Sequence, residues 1–178
     1  MGTIKSTPVP AHVWVHSVED HAELKPQILE AIRSMGEFSY RSAQNSLANT
    51  DWHLAANVIR PYHDIIRPVL TKHAEATRVA GAYDSVSIGS VWFQQYKTGD
   101  FHSWHTHGDC VFSSVYYVEL PDGSPKTSFR YAGEEFEVNV QEGDILTFPS
   151  YLAHRSAVNT GANQKTVVAF NSNATIGY

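Results

Sequence analysis

Two histidines near the middle of the chain have the spacing of a metal-binding pair. His105 and His107 are separated by one residue and follow a β-rich run over residues 86–96. Side chains two positions apart in an extended strand point to the same face, about 6.5–7 Å apart along the backbone. Their ring nitrogens could therefore bind one ion from the same side. A third ligand must come from elsewhere, and His154, which follows Pro149, is the best candidate.

The residues around this pair leave a second metal-binding register open. His107 and Asp109 form a His-x-Asp pair of their own, in which a carboxylate replaces the imidazole of His105 as a ligand. If Asp109 is not a ligand, its carboxylate could instead orient an imidazole by hydrogen bonding. Strand alternation predicts that His102 and Trp104 point away from the ligand face.

Helical spacing dominates the N-terminal third of the chain. Apolar residues recur every three to four positions from Leu24 to Met35, and a second helix is predicted over residues 61–76. We expect residues 1–80 to form a mostly helical support, with both helices packed against the outside of a sheet. Trp14 and Trp52 are interpreted as packing residues.

From residue 86 onward the pattern changes to short strands separated by turn residues. Six segments have the composition of strands: residues 86–96, 112–120, 127–131, 135–140, 144–148 and 165–171. Pro-Asp-Gly, Glu-Gly and Asn-Thr-Gly sequences supply turns between several of them. This arrangement predicts a mainly β jelly roll or small barrel. No linker divides the chain, so residues 1–178 are expected to form one domain.

The composition excludes several classes of partner. The chain has 178 residues and a net charge of −5, and it lacks the basic patch of a nucleic-acid-binding protein. Its single cysteine, Cys110, cannot form an internal disulfide, and the first ten residues lack the apolar core of a secretory signal. No apolar run is long enough to span a membrane. We therefore expect a cytoplasmic protein with a small-molecule or peptide substrate; the oligomeric state stays open.

Two glycine-led motifs resemble the paired metal-binding motifs of cupins. The first consists of Gly99 and residues 105–107, and the second of Gly143 and His154. The glycine spacing before the histidine pair favours the first of the two registers. Two departures from the cupin pattern are visible, because the glutamate usual after the first pair is missing and Tyr151 replaces a usual glycine.

A closer resemblance is to the small 2-oxoglutarate/Fe(II)-dependent oxygenases of bacteria and phages. It covers roughly residues 92–171 and rests on residues 104–107, 114–118, 143–150 and 169–171. The resemblance implies a double-stranded β-helix with a core over residues 86–171.

The same resemblance implies a function and a metal. Such enzymes hold Fe(II) with three side chains on one face and leave the remaining positions open for 2-oxoglutarate and O₂. In this chain His105, His107 and His154 would be the catalytic metal ligands. The expected reaction couples decarboxylation of 2-oxoglutarate to succinate with hydroxylation of a C–H bond in an amino acid, peptide or small metabolite.

The resemblance also implies a site for the cosubstrate. Lys165 lies eleven residues after His154, where relatives have a basic residue that binds the distal carboxylate of 2-oxoglutarate. Tyr117 and Tyr96 resemble further cosubstrate contacts in such enzymes.

Two other functions stay open from the sequence. A three-histidine cupin dioxygenase or isomerase would use the same ligands without a keto acid, and it would not need Lys165 as a carboxylate clamp. A jelly-roll binding module without catalytic activity would not need the histidines as ligands at all.

Overall fold

The computed structural model describes residues 11–177. The first ten residues, in which the sequence shows no apolar signal core, lie outside these described residues. Twelve strands and two helices follow one another within the described range: β1 (Trp14–Ser17), α1 (His21–Ser34), β2 (Tyr40–Arg41), β3 (Asn45–Leu47), β4 (Asn49–Thr50), α2 (Tyr62–Ala80), β5 (Ser85–Tyr96), β6 (Phe101–His105), β7 (Phe112–Glu119), β8 (Thr127–Tyr131), β9 (Glu134–Glu137), β10 (Asp144–Pro149), β11 (Ala153–Ser156) and β12 (Lys165–Thr175).

The strands form two six-stranded antiparallel sheets. The order is β1-β10-β7-β12-β5-β4 in the first sheet and β2-β3-β6-β11-β8-β9 in the second. From β5 onward the chain passes back and forth between the sheets, which is the winding of a jelly roll. The prediction of a mainly β fold built from two antiparallel sheets is therefore confirmed.

The two helices contact the first sheet. Ile32 of α1 and Ile66 of α2 are fully buried in one apolar cluster that also contains Phe93, Tyr116 and Phe170 of the sheet. Burying such side chains contributes roughly 1.5–3 kcal/mol each. Neither helix is long and apolar enough to cross a membrane.

A second apolar cluster lies between the two sheets. It contains Tyr117, Leu146 and Val167 of the first sheet, and Leu47 and Phe129 of the second. Successive side chains of a strand point to opposite faces of the sheet. The face of the first sheet that points away from this cluster therefore contacts the helices, and that of the second sheet carries solvent-exposed side chains.

Four short strands in the N-terminal part of the chain were not predicted. β1 pairs with β10 and extends the first sheet, whereas β4 pairs with the end of β5. β2 and β3 form the edge of the second sheet, with β3 paired to β6. Strands of two to four residues are too short to show an alternating apolar pattern, so they could not be recognised from sequence.

A buried histidine links α2 to the first sheet. His73 is 2% exposed, and its Nε2 lies 2.8 Å from Thr147 Oγ1, whereas its Nδ1 lies 3.0 Å from Nδ1 of His16 on β1. Burial, and to a smaller extent the neighbouring His16, lowers the pKa of His73 to about 4. The folded protein thus holds His73 neutral at a pH where the unfolded chain would protonate it.

His73→Gln should remove a pH-dependent loss of stability. Below pH 6.5 the unfolded wild-type chain takes up a proton at His73 that the folded chain excludes down to about pH 4. The free energy of unfolding should therefore fall with decreasing pH by roughly 3 kcal/mol more in wild type than in the variant. Urea unfolding of metal-free protein between pH 7 and pH 4 measures this difference. Parallel pH curves for the two proteins would contradict the assignment.

Candidate functional site

Three histidines from separate segments meet at one point of the second sheet. His105 ends β6, His107 follows in the next loop, and His154 lies on β11. Because β6 and β11 are antiparallel neighbours, His105 and His154 are direct cross-strand partners. One potential ligand atom from each of the three side chains lies within 4.8 Å of the others. The structure thus brings together the three residues predicted from the sequence.

Backbone carbonyl groups fix which ring nitrogen of two histidines carries the proton. His105 Nδ1 lies 2.8 Å from the carbonyl oxygen of Ser103, and His154 Nδ1 lies 2.9 Å from that of Leu152. A carbonyl oxygen can only accept, so each Nδ1 donates and each Nε2 keeps its lone pair. This is the arrangement in which a metal-ligating imidazole is usually held.

All three imidazoles are held in the neutral form. Burial lowers the pKa of His107 to about 4 and that of His154 to about 3, and it also lowers the pKa of His105. A neutral imidazole has the free lone pair that metal binding requires. At neutral pH the cluster therefore presents nitrogen donors and no positive charge of its own.

The loop that carries His107 is anchored to the turn before β11. The backbone N–H of His107 donates to the carbonyl of Ser150 over 3.0 Å, and the N–H of Ser150 donates to the carbonyl of Val111 over 2.9 Å. These bonds hold the loop beside β11. Asp109, the alternative ligand, is exposed on the same loop and does not belong to the cluster of potential ligand atoms.

Lys165 lies in the same cavity as the three histidines. Its side chain is 2% exposed, and Nζ donates to the carbonyl of Pro125 over 2.7 Å and to Ser156 Oγ over 2.8 Å. Nζ also lies 4.8 Å from the centre of the Tyr96 ring. Within residues 11–177 no carboxylate lies within ion-pair distance of Nζ. Burial lowers the pKa of Lys165 to about 7.

The two tyrosines predicted to contact the cosubstrate occupy different surroundings. Tyr96 lines the cavity with Lys165, and its hydroxyl donates to Gln94 Oε1 over 2.9 Å. Tyr117 is fully buried in the core, where its hydroxyl lies 2.7 Å from Thr127 Oγ1. Tyr117 does not line the cavity, although Thr127 does. The structure thus brings Tyr96 to the site and places Tyr117 behind it.

His102 lies inside the site, so the prediction that it points away is wrong. Its ring stacks on His105 with centroids 3.9 Å apart, and its Nδ1 lies 3.2 Å from Gln94 Nε2. The reason is a β-bulge in the pairing of β6 with β11. His105 pairs with His154 and His102 pairs with Ser156, so β6 has one more residue than β11 between the two pairs. Such a bulge places side chains three positions apart on one face.

Trp104 does not line the cavity that His102 and His105 line. The guanidinium groups of Arg130 and Arg155 both lie over its ring, each 4.5 Å from the ring centre. Ser156, by contrast, lines the cavity and was not predicted, although its position two residues after His154 places it on the ligand face of β11.

The histidines lie between a narrow cavity and an open cleft. The cavity has a volume of about 40 Å³ and extends from the three histidines to Lys165. The cleft has a volume of about 650 Å³ and is lined by His105 and His107 at one end and by Trp52 and Trp92 along its walls. Trp52 is 50% exposed, so it is not a core residue, although its ring packs against that of Tyr40.

Three solved structures with the same fold are distant in sequence. An oxidoreductase of the 2OG-Fe(II) oxygenase family from Burkholderia pseudomallei superposes with a TM-score of 0.73 at 12% identity, covering 93% of this chain and 88% of that one. The viral collagen prolyl hydroxylase of Paramecium Bursaria Chlorella virus-1, in a complex with 2OG, gives 0.65 at 13% identity, covering 91% and 96%.

A third similar structure contains a peptide. It is a prolyl hydroxylase from Trichoplax adhaerens in complex with a hypoxia inducible factor peptide fragment, with a TM-score of 0.64 at 12% identity, covering 89% of this chain and 82% of that one. No family model and no curated protein sequence matches the chain. The resemblance drawn from the sequence is thus confirmed at the level of the fold.

Substitutions of His105 and Asp109 distinguish the two metal-binding registers. His105→Ala removes a nitrogen from the cluster and should weaken Fe(II) binding by more than about 100-fold, whereas loss of a residue outside the ligand set costs roughly 10–100-fold at most. Asp109→Ala should therefore have the smaller effect, and His154→Ala should match His105→Ala. Anaerobic equilibrium dialysis with Fe(II) measures the affinities, and circular dichroism checks the fold. A greater loss in Asp109→Ala than in His105→Ala would favour the other register.

Proposed function

We propose that the protein is an Fe(II)- and 2-oxoglutarate-dependent oxygenase that hydroxylates a C–H bond of a peptide, amino acid or small metabolite. The observation that carries this proposal is the buried amino group of Lys165, which has no described carboxylate within ion-pair distance and lies in the cavity of a three-histidine cluster. The fold shared with 2OG-Fe(II) oxygenases supports it.

The donor set fits a divalent iron ion. His105, His107 and His154 present neutral imidazoles that come within 4.8 Å of one another, and imidazole suits iron among other transition metals. Three ligands from one side would leave positions open for small molecules. When bound, iron and 2-oxoglutarate supply the oxidising chemistry, in which O₂ is consumed, the keto acid becomes succinate and CO₂, and a substrate C–H becomes C–OH.

The surroundings of Lys165 fit one carboxylate of the keto acid. A buried ammonium group is unfavourable without a counter-charge, and its lowered pKa reflects that cost. A carboxylate beside Nζ would stabilise the charged form and raise this pKa again. The hydroxyl of Ser156, 2.8 Å from Nζ, is a second group that a carboxylate could contact.

The cavity must widen before the keto acid can enter. Its volume is only about 40 Å³, far below the roughly 300–1,000 Å³ typical of small-molecule sites. His102 is the side chain best placed to move, because it stacks on His105 and is held to Gln94 by one long hydrogen bond of 3.2 Å. The same tight packing would exclude water from the site once the keto acid is bound.

The ligand set also favours a second candidate function. A three-histidine centre without a carboxylate ligand is what a cupin dioxygenase or isomerase without a keto acid would use. Such an enzyme would have no use for Lys165 as a buried cation. The two proposals therefore differ in whether Lys165 contributes to ligand binding.

Replacing Lys165 tests the proposed function. Lys165→Met keeps an unbranched apolar side chain, one atom shorter, and removes the charge. It should therefore weaken 2-oxoglutarate binding by roughly 10–150-fold, as loss of a charge-assisted hydrogen bond of about 1.5–3 kcal/mol requires. Lys165→Arg should recover part of the affinity. Titration of 2-oxoglutarate into the anaerobic Fe(II) protein, followed by the absorbance of the iron–keto acid complex, measures these affinities. Succinate formation in air reports turnover.

Two controls separate the alternatives. Lys97→Met changes an exposed lysine near the end of β5 and should leave 2-oxoglutarate binding unchanged. If wild type binds Fe(II) but neither binds nor consumes 2-oxoglutarate, the three-histidine cupin function takes precedence. If wild type binds no metal, the fold serves as a binding module.

A further inference from the structure

The open cleft beside the histidines has a size and a position that suit a substrate. It has a volume of about 650 Å³, within the range of roughly 300–1,000 Å³ typical of small-molecule sites. One end is formed by His102, His105 and His107, and one wall is formed by the segment over residues 51–60. A molecule in the cleft would therefore reach the proposed metal centre with one end.

The charged side chains of the cleft are already paired with each other. Among the described residues that line it, only Asp51 and Arg60 carry a formal charge. Asp51 is fully buried and accepts hydrogen bonds from Arg60 Nε over 2.8 Å, from the hydroxyl of Tyr62 over 2.7 Å and from the N–H of Phe93 over 2.8 Å. Asp51 is thus satisfied without a ligand.

Arg60 has no donor left for a substrate either. Its Nη1 donates to the carbonyls of Ala55 and Val58, and its Nη2 donates to those of Asp51 and Leu54. Together with the Nε bond to Asp51, these contacts use all five N–H groups of the guanidinium. Arg60 therefore holds the cleft wall in place and cannot bind a carboxylate or phosphate without releasing that wall.

The histidine on α2 adds no charge to the cleft. His63 lines it near Arg60, and burial lowers the pKa of His63, so its ring is neutral at neutral pH. A charged group packed against these walls would lose part of its water without gaining a counter-ion from the protein. Such a transfer is strongly unfavourable, whereas an uncharged polar group would need only a hydrogen-bonding partner.

Two tryptophans give the cleft flat apolar surfaces. Trp92 lies on β5 with its ring 6.1 Å from that of His107, close to the proposed metal centre. Trp52 is half exposed at the rim and is held by edge contact with Tyr40, with ring centroids 5.5 Å apart. Exposed aromatic rings fixed beside a cavity are typical contact surfaces for planar or cyclic ligand groups.

We infer that the substrate portion entering this cleft is uncharged and presents a flat or ring-shaped apolar group to Trp52 and Trp92. The inference rests on the proposed function, because only the proposed metal centre would make a ligand of this cleft a substrate. The binding surface itself is present without metal. Among the substrate classes left open by the sequence, the inference argues against free amino acids, which carry two charges close together. It retains an uncharged side chain within a peptide and a neutral cyclic metabolite.

Three probes of the same shape test this inference. 3-Phenylpropanamide is neutral, 3-phenylpropylamine is a cation and 3-phenylpropanoate is an anion at neutral pH. Binding to the full chain without added metal is measured by saturation-transfer NMR, so that the carboxylate of the third probe cannot bind a metal ion instead. Binding is assigned to the cleft where Trp52→Ala weakens it and Trp14→Ala, which changes a tryptophan outside the cleft, does not.

The neutral probe should bind the cleft at least about tenfold more tightly than either charged probe. Burying an unpaired charge should lower the affinity by at least this factor. Ala56→Asp, which places a carboxylate on the exposed wall, should shift the preference toward the cationic probe. Equal or tighter cleft binding of a charged probe to wild type would overturn the inference, as would the absence of Trp52-dependent binding of 3-phenylpropanamide. Because no metal or keto acid is present, failure here is distinct from failure of 2-oxoglutarate turnover.

Discussion

The pairing of β6 with β11 is the contact on which the site depends. Antiparallel alignment places His105 opposite His154, and it places Ser156 opposite His102, so one ladder brings three imidazoles and a hydroxyl to the same cavity. A shift of this register by one residue would turn the aligned side chains of one strand to the opposite face. β3 pairs with the outer edge of β6 and β8 with the outer edge of β11, so both strands of the ladder are flanked by further strands.

The cavity combines two features that are costly for folding. Neutral imidazoles crowd together at one end, and an amino group is buried without a carboxylate at the other. Both lose the water that would solvate them in the unfolded chain. Within residues 11–177 no carboxylate lies within ion-pair distance of the amino group, and the more distant Glu137 offsets the cost of its burial only in part. Features of this kind are usually found where a ligand provides the missing interaction.

The sequence predicted those parts of the structure that follow from local spacing. The histidine pair at positions i and i+2, the long strands of the core and the two helices all have periods that a single strand or helix imposes. His102 was misplaced because a bulge depends on how two strands pair. Trp52 and the wall around Arg60 were missed for a similar reason, since a segment without regular structure is specified by hydrogen bonds to its own carbonyls.

The arginine at the centre of that wall has a consequence for how the cleft works. Five hydrogen bonds from one guanidinium reach four backbone carbonyls and a carboxylate within ten residues, so the wall keeps one shape whether or not a ligand is present. Loops that order only on binding lose conformational entropy at that moment, which weakens the affinity they can provide. Here that entropy is already lost on folding. Selectivity in the cleft should thus follow from rigid shape, with little adjustment to each ligand.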